Sequence, residues 1–250
     1  MKVVAMIPAA GLGTRMGKYS PESSGTSRKQ FMLLDGAPIL IHTIRKFVAS
    51  AKISEIFVAL RREDIESFEK QLVKEGYAKP VRLVAGGRSR QESVGNCLAK
   101  VSEDTDLVIV HDAVRPFISL ARIEESIDKA AEMGAVIVGI PPVDTIKQVD
   151  RTVVQSTLLR ERVVLAQTPQ VFRASLLRRA YEQAERNNFR GTDEASLVEY
   201  LGEPVHVIMG SDRNIKITKP GDMALARLFY QEELENRPEA ERSDEMARTP

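Results

Sequence analysis

Long apolar runs are missing from this 250-residue chain. No stretch reaches the roughly 18 consecutive apolar residues that a membrane-spanning helix needs. Met1-Lys2 leads directly into a strand-like run rather than into a signal peptide. A cytoplasmic protein with no membrane partner is therefore expected. Cysteine is nearly absent as well. The single Cys97 excludes an intramolecular disulfide framework and a cysteine-rich metal site. Its neighbours Val94, Leu98 and Val101 make it a core residue of a helix. Excess charge of one sign is also lacking: the formal net charge is +1, so no global field recruits nucleic acid. No repeat of roughly 20 to 50 residues is visible, which excludes a solenoid or propeller. What is left is a composition of 43% hydrophobic and 28% charged residues, suited to one large α/β domain with an ample core.

The chain is organised around Val3 to Gly17, VVAMIPAAGLGTRMG. Val3 to Ile7 is the short apolar run of a buried parallel strand. It breaks into Ala9, Ala10, Gly11 and Gly13, small residues that let bare backbone N–H groups close on anionic oxygens, with Arg15 as a forked cation. The dinucleotide fingerprint fails, because its third glycine would fall on Met16 and Gly17 comes one residue late. The P-loop fails too, because Leu12 stands where its first glycine belongs and Tyr19 follows Gly17-Lys18. The remaining pattern, AAGxGxR, resembles the nucleotide loop of sugar-nucleotide and polyol-phosphate nucleotidyltransferases. From this loop alone, an ordinary glycine-rich βα turn stays open.

Further along, residues 18–28 are polar and rich in serine and glycine, and a mobile loop is expected there. Pro38 starts a helix through Ile44 and Val48; Glu55–Leu60 reads as a strand, Glu63–Lys74 as a helix and Val81–Ala85 as a strand. Gly86-Gly87 feeds a helix whose Ser89 and Glu92 have capping-box spacing. Leu107–Val110 and Ala135–Ile140 are buried strands on either side of a helix from Ser119 to about Met133. Strands alternating with helices indicate βαβ units, hence a mostly parallel twisted sheet with helices on both faces. Residues 143–165 break the rhythm with alternating β-type residues and read as a protruding β-arm too thin to be stable without a partner. A helix at Ala174–Glu185, a capped helix at Thr192–Ser196, a strand at Val205–Met209, a turn and short strand at Gly210–Lys216 and a last helix from Pro220 to about Tyr230 complete a single domain, residues 1–231. Residues 232–250 form a charged tail, expected to be disordered.

Ligands of open α/β sheets sit beyond the carboxyl ends of the strands. The AAGLGTR loop, the GGRSRQES turn, the HDAVRP turn and Asn214-Ile215-Lys216 all fall at that rim. Taken singly, Arg88 and Arg90 are also compatible with solvated turn charges, Asp112 with a loop cap and Lys216 with a surface lysine. Together with the KQF after the loop, DTIK, TPQVF, TDEAS and DRNIKIT, these motifs occur in one order over residues 3–230. In that order the chain resembles the 2-C-methyl-D-erythritol 4-phosphate cytidylyltransferases of the non-mevalonate isoprenoid pathway. The ribitol-5-phosphate cytidylyltransferases, which share much of the pattern, are the alternative, as is a CTP-binding module without turnover.

The resemblance implies a Rossmann-like domain, a homodimer built through the arm, CTP as cosubstrate and a polyol phosphate as acceptor. It also implies Mg²⁺ or another divalent cation, held mainly by the CTP phosphates, with Asp112 and Asp212 as protein candidates. By position it implies that Arg15, Lys29 and Lys216 are catalytic cations. Ala9, Ala10, Gly11 and Gly13 match the triphosphate loop, and Gly87, Arg88, Arg90, Ser93, Asp112 and Ala113 match further CTP contacts. Arg115, Thr145, Arg160, Thr168 and Thr192 match contacts to the acceptor, with Thr145 and Arg160 reaching into the partner's site. Two departures are visible: the stretch between Gly17 and Lys29 is long, and Arg28 stands where the family usually has a φ-fixing proline. The chemistry implied needs no general base, since a phosphate monoester with a second pKa of about 6 is already ionised. His111 is accordingly read as structural, turned by strand alternation to the face opposite Asp112.

Overall fold

The computed structural model describes residues 1–11 and 28–236. Its strands are β1 (Val3–Pro8), β2 (Leu33–Leu34), β3 (Ala37–Pro38), β4 (Glu55–Leu60), β5 (Val81–Ala85), β6 (Leu107–Val110), β7 (Ala135–Ile140), β8 (Lys147–Asp150), β9 (Val153–Thr157), β10 (Leu165–Arg173) and β11 (His206–Met209). Its helices are α1 (Ile39–Val48), α2 (Arg62–Glu75), α3 (Arg90–Leu98), α4 (Leu120–Met133), α5 (Ala174–Arg186), α6 (Glu194–Tyr200) and α7 (Pro220–Glu235). One seven-stranded sheet carries the fold, in the order β11-β7-β10-β6-β1-β4-β5. All of its neighbours pair in parallel except β10, which runs antiparallel to both β6 and β7.

Apolar residues at every position of β1 follow from helices covering both faces. Val3, Ala5 and Ile7 pack with Phe47 of α1, Phe68 of α2 and Ile127 of α4. Val4 and Met6 turn the other way, onto Val94 and Cys97 of α3 and Leu177 of α5. The period of two in the strand thus sorts one short run between two cores. A third cluster seats α7 through Met223, Ala226 and Tyr230 against Leu34 and Ile39.

Helix ends follow local chemistry. The Ser89 hydroxyl accepts from the Glu92 N–H at 3.1 Å, but the Glu92 carboxylate accepts from the Arg88 N–H at 2.7 Å. The expected reciprocal cap is therefore displaced by one residue. Asp193 caps α6 by accepting from the Ser196 N–H at 3.0 Å, and the Asp193 N–H returns to the Ser196 hydroxyl. α7 runs past Tyr230 to Glu235, and the remainder of the expected tail, residues 237–250, lies outside the described residues.

Sequence and structure also part at two strands. No element is read from the sequence between the arm and the helix at Ala174, yet Leu165–Arg173 is a central strand. Pro169 lacks the N–H a ladder needs; it lies where the β10–β7 register shifts between Ala166 and Gln170, and the Thr168–Pro169 peptide is cis. Of the turn and short strand expected over Gly210–Lys216, the turn is present and the strand is absent among the described residues. The chain bends at Asn214 and runs on without regular structure, held by the Ile217 N–H donating to the Val114 carbonyl at 3.0 Å and by the Asn214 side chain. The arm is a two-stranded β8–β9 pair separate from the main sheet, turning at Arg151 with φ 51. No helix among the described residues is long and apolar enough to cross a membrane.

Candidate active site

Adjacent strands β6, β1, β4 and β5 end at one rim, and their following turns touch. The Ala9 N–H continues the ladder to the Ala59 carbonyl at 2.8 Å, and the Gly86 N–H reaches the Leu60 carbonyl at 2.7 Å. A Cβ on Gly86 would run into the Ala10 methyl, and one on Gly87 into the Glu92 side chain. Glycine is needed here because two backbones approach closely, not because of an unusual φ. Between these turns lies a cleft of about 260 Å³ lined by Ala9, Ala10, Gly11, Lys29, Gly87, Arg88, Arg90, Ser93, Asp112, Ala113 and Lys216. Pro8, Gln30, Ser89 and Val114 line it as well.

Lys29 enters from a single 3-10 turn, Lys29–Phe31. The next side chain, Gln30, is buried and donates from Nε2 to the carbonyls of Ala9 at 2.8 Å and Gly11 at 3.2 Å. The lysine backbone is thereby tied to the glycine loop. Ser93, one turn into α3, accepts from the Gly87 N–H at 3.1 Å and donates to the Ser89 carbonyl at 2.8 Å.

Asp112 is the electrostatic centre. Its carboxylate meets Lys216 Nζ at 2.7 Å, Arg90 Nε at 3.3 Å and Arg115 Nε at 3.5 Å. Burial alone would raise its pKa, but Arg90, Lys216 and Arg115 outweigh that and hold the carboxyl far below the usual carboxylate range. Arg90 continues the chain of charges, its Nη1 donating to both carboxylate oxygens of Glu194 at 2.9 and 2.7 Å. Glu194 is 1% exposed and also accepts from the Tyr181 hydroxyl at 3.2 Å. Arg115 donates to the Asn214 carbonyl at 2.6 Å, and the Asn214 amide donates to the Thr168 carbonyl at 2.9 Å. Thr168 Oγ1 in turn accepts from the Asp112 N–H at 3.0 Å. A closed polar network therefore fixes the floor of the cleft, while Lys29, Arg88 and Lys216 face its space.

His111 is fully buried on the opposite face, 4.7 Å from the Phe47 ring. Its Nε2 donates to the Arg115 carbonyl at 3.0 Å, which places the proton on that nitrogen. Burial pushes its pKa down to about 4, so it stays neutral near pH 7.

The site residues expected from sequence divide accordingly. Ala9, Ala10, Gly11, Lys29, Gly87, Arg88, Arg90, Ser93, Asp112, Ala113 and Lys216 meet in the cleft. Arg115 and Thr168 lie behind Asp112, and Thr192 is exposed ahead of α6. Thr145 and Arg160 are exposed on the arm, where Arg160 donates to the Val143 carbonyl at 3.2 Å. Gly13, Arg15 and residues 18–27 lie outside the described residues. Sequence reasoning did not single out Gln30, Tyr181, Glu194 or Asn214 as site residues. The TDEAS and NIKIT motifs contained Glu194 and Asn214, but nothing in the spacing indicated that their partners are Arg90 and Thr168.

No group of three or more His, Cys, Asp or Glu side chains among the described residues is placed to hold a metal. Among the described residues Asp112 is the one carboxylate lining the cleft, and three cations already engage it. Asp212 is exposed and does not line the cleft. A protein-built cation cage does not fit these residues. Cationic side chains and small-residue turns around an open space suit instead a ligand bearing several phosphate oxygens.

A family model described as IspD: 2-C-methyl-D-erythritol 4-phosphate cytidylyltransferase matches residues 3–232. A 2-C-methyl-D-erythritol 4-phosphate cytidylyltransferase of Solibacter usitatus is 58% identical over 237 residues, covering 93% of this chain and 97% of its own. One of Acidobacterium capsulatum is 50% identical over 239 residues, covering 93% and 98%. The crystal structure of 4-diphosphocytidyl-2C-methyl-D-erythritol synthase from Anaerococcus prevotii superposes with a TM-score of 0.79 at 30% identity, over 92% of this chain and 98% of that one.

Proposed function

This chain belongs to the 2-C-methyl-D-erythritol 4-phosphate cytidylyltransferase family of enzymes, and from that membership we propose how its cleft works: CTP and 2-C-methyl-D-erythritol 4-phosphate become 4-diphosphocytidyl-2-C-methyl-D-erythritol and pyrophosphate, a step of isoprenoid biosynthesis. The single observation that carries the reading is that Lys29 and Lys216 line one cleft with the small-residue turn after β1, Lys216 held by Asp112.

The triphosphate lies along Ala9–Gly11, where backbone can approach closely, and the nucleoside lies toward Gly87 and Ser93. A phosphate oxygen of the acceptor attacks the α-phosphorus in line. The new P–O bond forms as the bond to the β-phosphate oxygen breaks, and its electron pair leaves with pyrophosphate. No proton has to be removed from the nucleophile near pH 7, which agrees with a neutral, buried His111. The barrier is the approach of one anion to another, and Lys29 and Lys216 lower it by stabilising charge that builds on the transferred and departing phosphates. Arg15 is assigned the same work by its place in the family's loop. Asp112 holds Lys216 at 2.7 Å until a phosphate competes for it.

A divalent cation, where used, enters on the nucleotide as part of the substrate and supplies further neutralisation of the triphosphate. The arm is read as the dimer contact, with Thr145 and Arg160 reaching the acceptor phosphate bound by the partner. The test is pyrophosphate release with each of four nucleoside triphosphates and with methylerythritol or ribitol phosphate as acceptor. Release confined to CTP with methylerythritol phosphate is expected. Preference for ribitol phosphate would reassign the acceptor, and no release with either would overturn the reading.

A further inference from the structure

Lys29 has a pinned residue on each side. Gln30 is tied to the glycine loop, as described above. On the other side, Arg28 is largely covered, and its guanidinium pairs with Asp64 of α2. Glu63 stands 3.6 Å from the same group, and the Phe31 ring lies 5.3 Å beneath it. Phe31 in turn packs against Phe68 of α2, ring centroids 5.9 Å apart. Asp64 is buried and sits in the first turn of α2, where a carboxylate is favoured by the helix N-terminus. Arg28 has φ −88 and ψ 112 and opens the 3-10 turn, its carbonyl accepting from the Phe31 N–H at 3.0 Å.

Backbone freedom at this position would be damaging. Lys29 is set by a single turn rather than by a long helix or a ladder, and residues that orient a reacting group lose rate steeply when displaced by about 1 Å. Proline would restrict φ here by its ring. This chain has arginine, and it has a buried carboxylate on a neighbouring helix to receive it. One guanidinium nitrogen of Arg28 pairs with Asp64 while the group lies over the Phe31 ring, so the charge on Asp64 is the part of the anchor that a lysine can keep. We propose that Arg28 is a positioning residue, its ion pair with Asp64 anchoring the start of the Lys29 turn to α2 and so holding Lys29 in the cleft. The inference rests on the reading of Lys29 given under the proposed function.

The test is a set of variants, Arg28→Ala, Arg28→Lys and Asp64→Asn, each made alone and combined with Lys29→Ala. Turnover is measured as pyrophosphate release at saturating CTP and acceptor. Arg28→Ala and Asp64→Asn are expected to lower kcat about 10- to 100-fold, with a smaller change in KM for CTP. Arg28→Lys keeps most of the rate. In the Lys29→Ala background neither change costs anything further. An equal loss with and without Lys29, or an unchanged kcat, overturns the proposal. Hydrogen exchange gives a readout independent of turnover: Asp64→Asn should speed exchange at the Phe31 and Met32 amides, which donate to the Arg28 and Lys29 carbonyls. Exchange as slow as in the parent chain also overturns it. Absence of turnover in the parent chain counts against the functional reading, whereas the exchange result still decides the anchor.

Discussion

At the level of single residues, Lys216 and Asp112 set the terms. A lysine that reaches into open space has its field screened by water and its rotamer unset, whereas one held 2.7 Å from a buried carboxylate is already oriented before a phosphate arrives. Lys29→Ala or Lys216→Ala should therefore lower turnover about 10²- to 10³-fold, the usual cost of removing one preorganised donor. Near-normal turnover in single-turnover kinetics would sink the role given to that residue. His111 gives a stability prediction with a definite sign. Its pKa is pushed down to about 4 from an ordinary 6.5, so the unfolded chain takes up a proton that the folded one refuses. Its contribution is intact above about pH 6.5 and is lost as pH falls toward 4, by about 3 kcal/mol in all. His42, buried and also lowered, acts in the same direction. Urea midpoints of the parent chain should fall between pH 7 and pH 5, and His111→Gln should flatten that fall.

Elements succeed or fail as wholes. The contact of the β1 and β5 turns depends on Gly86, whose added methyl would meet Ala10. Gly86→Ala should push the glycine loop off its seat and raise KM for CTP more than it lowers melting temperature, as measured by kinetics and calorimetry on one preparation. How far elements can be read ahead of a structure follows from the same local physics. β1, β4, β6 and β7 announce themselves because burial on both faces demands nearly unbroken apolar runs, and the edge strand β5 keeps enough β-branched residues around Arg82 to follow. β10 does not, because its middle is Gln167-Thr168-Pro169-Gln170, polar side chains whose partners come from distant turns. Gln170, for example, donates to Asp193 at 2.7 Å and accepts from the Ala195 N–H at 3.1 Å. The rim of the cleft was legible as glycine turns and stranded cations. Its floor was not, because Glu194 and Asn214 matter only through contacts that sequence spacing does not encode.

For the molecule as a whole, the arm is the part that leaves most apolar surface open. Val153 and Val154 are 61% and 55% exposed on a two-stranded pair, more apolar surface than a free hairpin keeps at no cost. Under the dimer reading, Val153→Asp should leave far-UV circular dichroism unchanged while halving the mass seen by sedimentation. A parent chain that sediments as a monomer would remove the arm's assigned role. Arg160→Ala should weaken acceptor affinity without unfolding the chain, and mixing it with Lys29→Ala subunits should restore part of the activity. Verified heterodimers that stay inactive would show that each cleft is self-sufficient.

The strand that leaves the arm is the same one that supports the carboxylate. β10 begins at Leu165, beside the arm, and within its length Thr168 receives the Asp112 N–H. A binder that grips only the hairpin, an antibody fragment or a stapled peptide, thus pulls on a cord whose far end is knotted beneath Lys216. Whether that connection carries as far as the cleft is tested with a hairpin-directed antibody fragment: kcat lowered without competition against CTP is expected, and an unchanged kcat would show that the two ends are independent.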